Sequence, residues 1–268
     1  FFYFLGSMAE EVPHLPRRTE LTPTDDSFLT CACRDWITSL TTKEVSEFLV
    51  SNKNIDLLEI EAVKSLKKWW SYFPEQGFSR GFNTWAKMEQ PPRGTRNTNG
   101  CLMRNSPIVP GMLEKNFYIR SDIIEVAQIF AGVTHQHPDS LSAVSLHTEM
   151  LFLGHMNELD KKVLKEILLS VEHEGFVVKP VSYWREQKEF IWDAPRSLSI
   201  AVSAILEADS YMEAIENCCS IGKDTDTYAA IAGPIAQTLW GLSGPAYSIC
   251  MPILKDYPRI MNLYGLKF

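Results

Sequence analysis

With 268 residues, 45% of them hydrophobic and 22% charged, the chain has the make-up of a soluble globular protein that can bury a large core without disulfides or structural zinc. A net charge of −7 and the lack of a long Lys/Arg run argue against a nucleic-acid partner, and no apolar run reaches the length of about 18 residues that spans a bilayer. The six cysteines form no C-x-x-C pair; they read as small buried hydrophobes in a reducing, intracellular setting, which points to the cytoplasm.

Along the chain, the opening FFYFL is apolar but short and lacks a basic flank, and the start on Phe1 rather than Met is the pattern of a trimmed or partial chain. Pro13, Pro16 and Pro23 keep residues 1–26 irregular. A helical pattern capped by Ser27 runs to about Val50. Ile55, Leu58, Ala62, Leu66 and Trp69 form a helical stripe over 55–72. Residues 73–110, rich in Gly, Pro, Asn and Arg, predict a long loop of the kind that carries function. Helices are then expected from Ser121-Asp122 through Val133, from Leu141 to Leu153 after the break at His137-Pro138-Asp139, and over Lys161–Glu172. Residues 175–192 give no clear pattern. Further helices are expected over Arg196–Glu207, over Tyr211–Ser220 behind Asp209 or Ser210, and over Thr227–Trp240. The last is lined with Ala229, Ala230, Ala232, Gly233 and Ala236, which suits a central helix, with Pro234 kinking it or lying near its start. No run of alternating strands, repeat or linker is visible. The expectation is one domain over 1–268: a compact, all-α fold with long irregular loops.

Two acidic clusters stand at loop-to-helix junctions: Thr24-Asp25-Asp26, and Asp224-Thr225-Asp226-Thr227 behind Gly222-Lys223. Helix capping accounts for one such residue per helix. Hard cations such as Mg²⁺ need several oxygens, which two converging clusters would supply. A pre-helix loop could turn Asp224 and Asp226 toward one point. Competing motifs are weaker. Gly77-Phe78-Ser79-Arg80-Gly81 spells G-x-S-x-G, but a nucleophile elbow needs a strand before it and a helix after it. His135-Gln136-His137 lacks further ligands for zinc, and His137 before Pro138 fits a turn. His14, His147, His155 and His173 have no partner pattern, and Trp69-Trp70 fits a core.

Residues 222–241, GKDTDTYAAIAGPIAQTLWG, closely resemble the late motif of ADP-ribosylglycohydrolases. PTDDSFLT (23–30), NTNGCLMRNSP (97–107), Thr134-His135 and Gly6-Ser7-Met8-Ala9-Glu10 resemble that family's other motifs and follow its order. The resemblance implies hydrolysis of the glycosidic bond between ADP-ribose and a protein side chain, arginine or serine, with ADP-ribosylated protein and ADP-ribose as partners and no membrane. It implies an orthogonal helical bundle around a metal-containing cleft, with two Mg²⁺ ions, or Mn²⁺ as a substitute, held by Thr24, Asp25, Asp26, Asp224, Asp226 and Thr227, with Asp226 bridging. Glu10, Asp25 and Asp26 are the candidates for acid or base. Asn99, Gly100, Met103, His135 and Gly222 would meet the substrate. Phe2 and Tyr3 depart from the family's G-D, and Lys223 replaces a glycine; Lys223 could pair with Asp224, meet phosphate or face solvent. Arg96 stands where small residues are usual and could meet the diphosphate or face solvent. The alternatives are a catalytically drifted ADP-ribose-binding, structural or toxin-blocking immunity protein on the same fold, and an unrelated metal-dependent phosphohydrolase.

Overall fold

A computed structural model of the chain describes residues 22–51, 54–171, 174–242 and 244–266. Among these residues there are α-helices and one 3₁₀ turn but no strand; the nearest approach to a sheet is two isolated bridges, Thr95 with His135 and Thr98 with Asp193. No helix in the described part is long and apolar enough to cross a membrane.

The expected first helix is two. Helix α1 covers Asp25–Ser39 and α2 covers Thr42–Ser51. The break has a local cause: Thr41 and Glu44 form a reciprocal capping box, the Thr41 N–H donating to Glu44 Oε2 (2.7 Å) and the Glu44 N–H to Thr41 Oγ1 (3.2 Å). Helix α1 also starts earlier than Ser27, so Asp25 and Asp26 lie in its first turn rather than before it. Helix α3, Ile55–Tyr72, buries the expected stripe of Leu58, Ala62, Leu66 and Trp69 against α1.

The predicted loop 73–110 is partly folded. It contains α4 (Arg80–Lys87), a 3₁₀ turn (Asn99–Cys101) and the start of α5 (Ile108–Glu114). Helix α4 is short but strongly one-sided, burying Phe82, Trp85 and Ala86, so packing supplies what its length cannot. Helices α6 (Arg120–Gly132) and α7 (Pro138–His155) pack on each other; His137 caps α7, its Nδ1 accepting from the Asp139 N–H, and Pro138 takes the first turn. Helix α8 (Lys161–Leu168) is capped by Asp160, and the unassigned stretch holds α9 (Val181–Glu186).

Helices α10 (Ala194–Leu206), α11 (Tyr211–Ile221) and α12 (Thr225–Trp240) form the centre, with α7 on the same helix α12. Ser210 caps α11, as the sequence allowed. Helix α12 is buried along most of its length, with Pro234 in its interior rather than near its start. Its close neighbour is α7 at Gly154, where a Cβ would fall 2.1 Å from Thr238 Oγ1. Helices α13 (Gly244–Leu254) and α14 (Pro258–Leu263) follow, with α14 packed on α1. One hydrophobic cluster joins residues from Phe28 to Met261 and includes all six cysteines, each a free thiol.

His147 is a satisfied core residue, its Nε2 on the Ile231 carbonyl (3.2 Å). Trp69 and Trp70 are tied by their indole N–H groups to Asp35 and Asn83.

Candidate functional site

The packing of α1 against α12 brings together two chain segments about two hundred residues apart. Their N-terminal turns open into a cleft of about 630 Å³ lined by Asp25, Asp26, Asp224, Asp226 and Thr227. A larger groove of about 970 Å³ runs along α3 but holds none of these residues.

The residues at the two N-cap positions, Thr24 and Asp224, make no side-chain cap bond. Thr24 Oγ1 instead donates to Asp26 Oδ2 (3.1 Å), and Asp224 Oδ2 accepts from Asn99 Nδ2 (2.6 Å). Capping therefore does not explain the two clusters; Thr24 turns to Asp26 and Asp224 to Asn99. Asp224 stands outside α12 while Asp226 lies in its first turn, so the expected shared pre-helix loop is not how the two approach. The Asp226 carboxylate lies near enough to those of Asp26 and Asp224 for its charge to oppose the ionisation of both. It is the link between the two clusters.

Four carboxylates this close and this buried are costly to ionise together. Burial, then Asp226 and Asp224, raises the Asp25 carboxyl from 3.8 to about 7. Burial first and the neighbouring aspartates next push Asp26 well above the usual carboxylate range. Burial raises Asp224 to about 6 against the opposing Asn99 hydrogen bond, and raises Asp226 as well. Asp26 Oδ1 is buried and has no hydrogen-bond partner among the described residues. An oxygen-only donor set with an unspent, buried carboxylate oxygen suits a hard divalent cation. The fit lies in this donor chemistry and not in a ready-made cage: among the described residues no three His, Cys, Asp or Glu side chains already converge as metal ligands.

The 3₁₀ turn supplies the opposite wall. Asn99 is held by the Trp192 carbonyl at its N–H (2.7 Å) and by Ser197 Oγ (3.1 Å) as well as by Asp224. Gly100 lies under His135, whose ring atoms sit 3.4 Å from where a Cβ would stand. Both ring nitrogens of His135 meet hydroxyls, Nδ1 that of Thr134 (2.7 Å) and Nε2 that of Thr98 (2.8 Å). Burial and the nearby Arg104 and Arg96 charges hold the imidazole neutral. With His137 spent on its cap, the pair is not a zinc site. Met103 also lines the cleft. Gly222 does not; it ends α11 with φ +77° and ψ −177°, a conformation open essentially to glycine alone. Lys223 follows with φ +69°, and its Nζ donates to the Gln187 carbonyl rather than to Asp224. Ser79 caps α4, its Oγ accepting from the Phe82 N–H, with no strand before it; this removes the nucleophile-elbow reading. Glu10 and the Gly6–Glu10 motif lie outside the described residues.

Three contributors were not singled out from sequence. Arg104, 1% exposed, spans from Thr134 Oγ1 to the face of Phe130 (5.4 Å) and lines the cleft. It stands in the motif around Asn99 and Gly100, and so could have been named. Phe190 (51% exposed) and Trp192 (60%) stand at the cleft beside each other, in the stretch that gave no pattern.

A family model described as ADP-ribosylglycohydrolase matches residues 5–246, a span that includes both acidic clusters, the 3₁₀ turn and His135. A solved structure described as "ADP-ribosylglycohydrolase-related protein complex" matches with a TM-score of 0.64 at 17% identity, over 99% of this chain and 92% of that one, a likeness of fold. No curated protein matches. By the family match over most of its length, and with the fold and the paired acidic helix starts that accompany it, the chain belongs to the ADP-ribosylglycohydrolase family.

Proposed function

We propose that this protein hydrolyses the glycosidic bond joining ADP-ribose to an arginine or serine side chain of a modified protein, using two Mg²⁺ ions, or Mn²⁺ in their place. The observation that carries this reading is the meeting of Asp25, Asp26, Asp224 and Asp226 in one cleft, which makes one anionic site from two distant segments. Thr24, Asp25 and Asp26 would hold one ion, Asp224 and Thr227 the other, with Asp226 shared. When bound, Mg²⁺ supplies Lewis-acid anchoring of the distal ribose hydroxyls and lowers the pKa of a water.

The chain's own groups do the rest. Asn99, fixed by Ser197 and the Trp192 carbonyl, orients Asp224 within the cluster. Neutral His135, held at both nitrogens, presents a rigid polar face above Gly100. Cleavage at the anomeric carbon builds oxocarbenium-like charge, which an anionic cleft stabilises. Glu10, Asp25 and Asp26 are the carboxylates that could move the proton.

The experiment is release of ADP-ribose from peptides carrying ADP-ribosyl-arginine or ADP-ribosyl-serine, with Mg²⁺ or with EDTA. The expected result is metal-dependent turnover of one of the two linkages, abolished in the Asp224→Ala/Asp226→Ala protein. Wild-type turnover by that variant at saturating Mg²⁺ would refute the mechanism. Tight ADP-ribose binding without turnover would establish a binding protein instead.

A further inference from the structure

Beside the acidic cleft lies a second cavity of about 570 Å³, which shares Gly81, Phe82 and Arg96 with the cleft's lining. Its charged lining is Arg80, Arg93 and Arg96, with no carboxylate. Arg93 is neutralised by Glu59. Arg80 and Arg96 are exposed, and neither side chain has an ion-pair or hydrogen-bond partner among the described residues. Two guanidinium groups without a counter-charge on one concave surface favour an anion there.

Arg96 is positioned rather than loose. Its backbone carbonyl accepts from the buried Ser140 hydroxyl (3.1 Å). The loop before it is pinned by Trp85 Nε1 on the Pro92 carbonyl (2.9 Å) and by the Gln136 N–H on the Gly94 carbonyl (2.7 Å). Its guanidinium lies so close over the first turn of α4 that a Cβ on Gly81 would be 2.1 Å from Nη2 and 2.8 Å from Cζ. The absence of a side chain at Gly81 is what gives Arg96 that place. Aromatic packing of Phe78, Phe82 and Trp85 fixes the helix beneath.

The cleft thus has carboxylates on one part of its lining and the Arg96 guanidinium on another. A ligand with a cation-seeking sugar at one end and a diphosphate further along matches that polarity. We propose that Arg96, assisted by Arg80 and seated by Gly81, binds the diphosphate of ADP-ribose and makes it a requirement for recognition. The assignment of the diphosphate rests on the function proposed above; the anion site itself rests on the arginines.

The test is calorimetric titration of ADP-ribose in Mg²⁺ buffer, and of inorganic pyrophosphate in EDTA buffer so that metal does not sequester it. The proteins are wild type, Arg96→Ala, Arg96→Lys, Arg80→Ala and Gly81→Ala. Loss of a charged phosphate contact is expected to weaken ADP-ribose binding about 10–100-fold in Arg96→Ala, with partial recovery in Arg96→Lys and a smaller loss in Arg80→Ala. Gly81→Ala should fold normally, since alanine favours a helix and the obstructing atoms end a flexible side chain, yet bind as poorly as Arg96→Ala. Wild-type affinity for ADP-ribose in Arg96→Ala and Gly81→Ala overturns the proposal. Pyrophosphate binding that depends on Arg96, without any ADP-ribose binding, sustains the anion site and overturns the ADP-ribose reading. Binding of neither ligand by the wild-type protein overturns both.

Discussion

Replacing Asp25 by Asn should stabilise the metal-free protein, and by an amount that depends on pH. The folded Asp25 carboxyl titrates near 7 rather than 3.8, because it is buried and faces Asp226 and Asp224. Between those two values the folded protein retains a proton that the unfolded chain has released. Stability from this group is therefore full below the unfolded value and is lost as pH rises, the loss levelling off above about 7. The gap from 3.8 to about 7 corresponds to about 4 kcal/mol for an isolated group. Asp226 and Asp224 share the repulsion and relax when one charge goes, so about half, ~2 kcal/mol, is expected at pH 8. For a chain of this size that is a rise of roughly 4–8 °C in melting temperature. At pH 4 the gain should shrink to a few tenths of a kcal/mol. The assay is thermal unfolding in EDTA at pH 4, 6 and 8, repeated with Mg²⁺. With Mg²⁺ the wild type should gain melting temperature and the variant should gain less, because binding to the folded state alone is what stabilises. A variant that is less stable at pH 8, or equally stabilised at pH 4 and pH 8, would show that charge crowding is not the cost borne at this cleft.

Three further outcomes follow from the same geometry. Gly222→Ala forces a side chain into φ +77°, ψ −177° and should cost about 1–3 kcal/mol in denaturant unfolding; an unchanged midpoint would contradict the turn's conformation. Lys223→Gly relieves a left-handed residue (φ +69°) and should gain up to about 1 kcal/mol, less whatever its contact with the Gln187 carbonyl contributes; a clear loss of stability would show that this contact outweighs the strain. Asn99→Asp sets another carboxylate beside Asp224, whose own carboxyl is already raised to about 6, so stability should fall relative to wild type as pH rises from 5 to 8; a pH-independent difference would argue against it.

The periodic stripe of 55–72 names α3 to the residue, and the small residues of 227–240 name the central helix, because both are local properties of a 3.6-residue repeat. The break at Thr41 was also written locally, in its capping box with Glu44, but the apolar pattern on both sides hides it. Helix α4 was not legible. Eight residues flanked by Gly and Pro are too few to be helical alone, and only burial of Phe82 and Trp85 makes them so. Asp25, Asp26, Asp224 and Asp226 could be named from their spacing and from the family motifs, and Arg104 could have been. Arg96 could be noticed but not assigned, since nothing local says that Gly81 makes room for its guanidinium.

What the amino-acid order determined by itself was where helices begin, which faces are apolar, and which side chains carry oxygen at those beginnings. The tertiary structure alone decided that the first turns of α1 and α12 open into one cleft, and that Thr24 and Asp224 turn from capping their helices to meeting Asp26 and Asn99. The reason is one of range. Capping and periodicity act over a single turn of helix, whereas bringing carboxylates together from segments so far apart in the chain requires the burial of a whole core to offset their repulsion and desolvation.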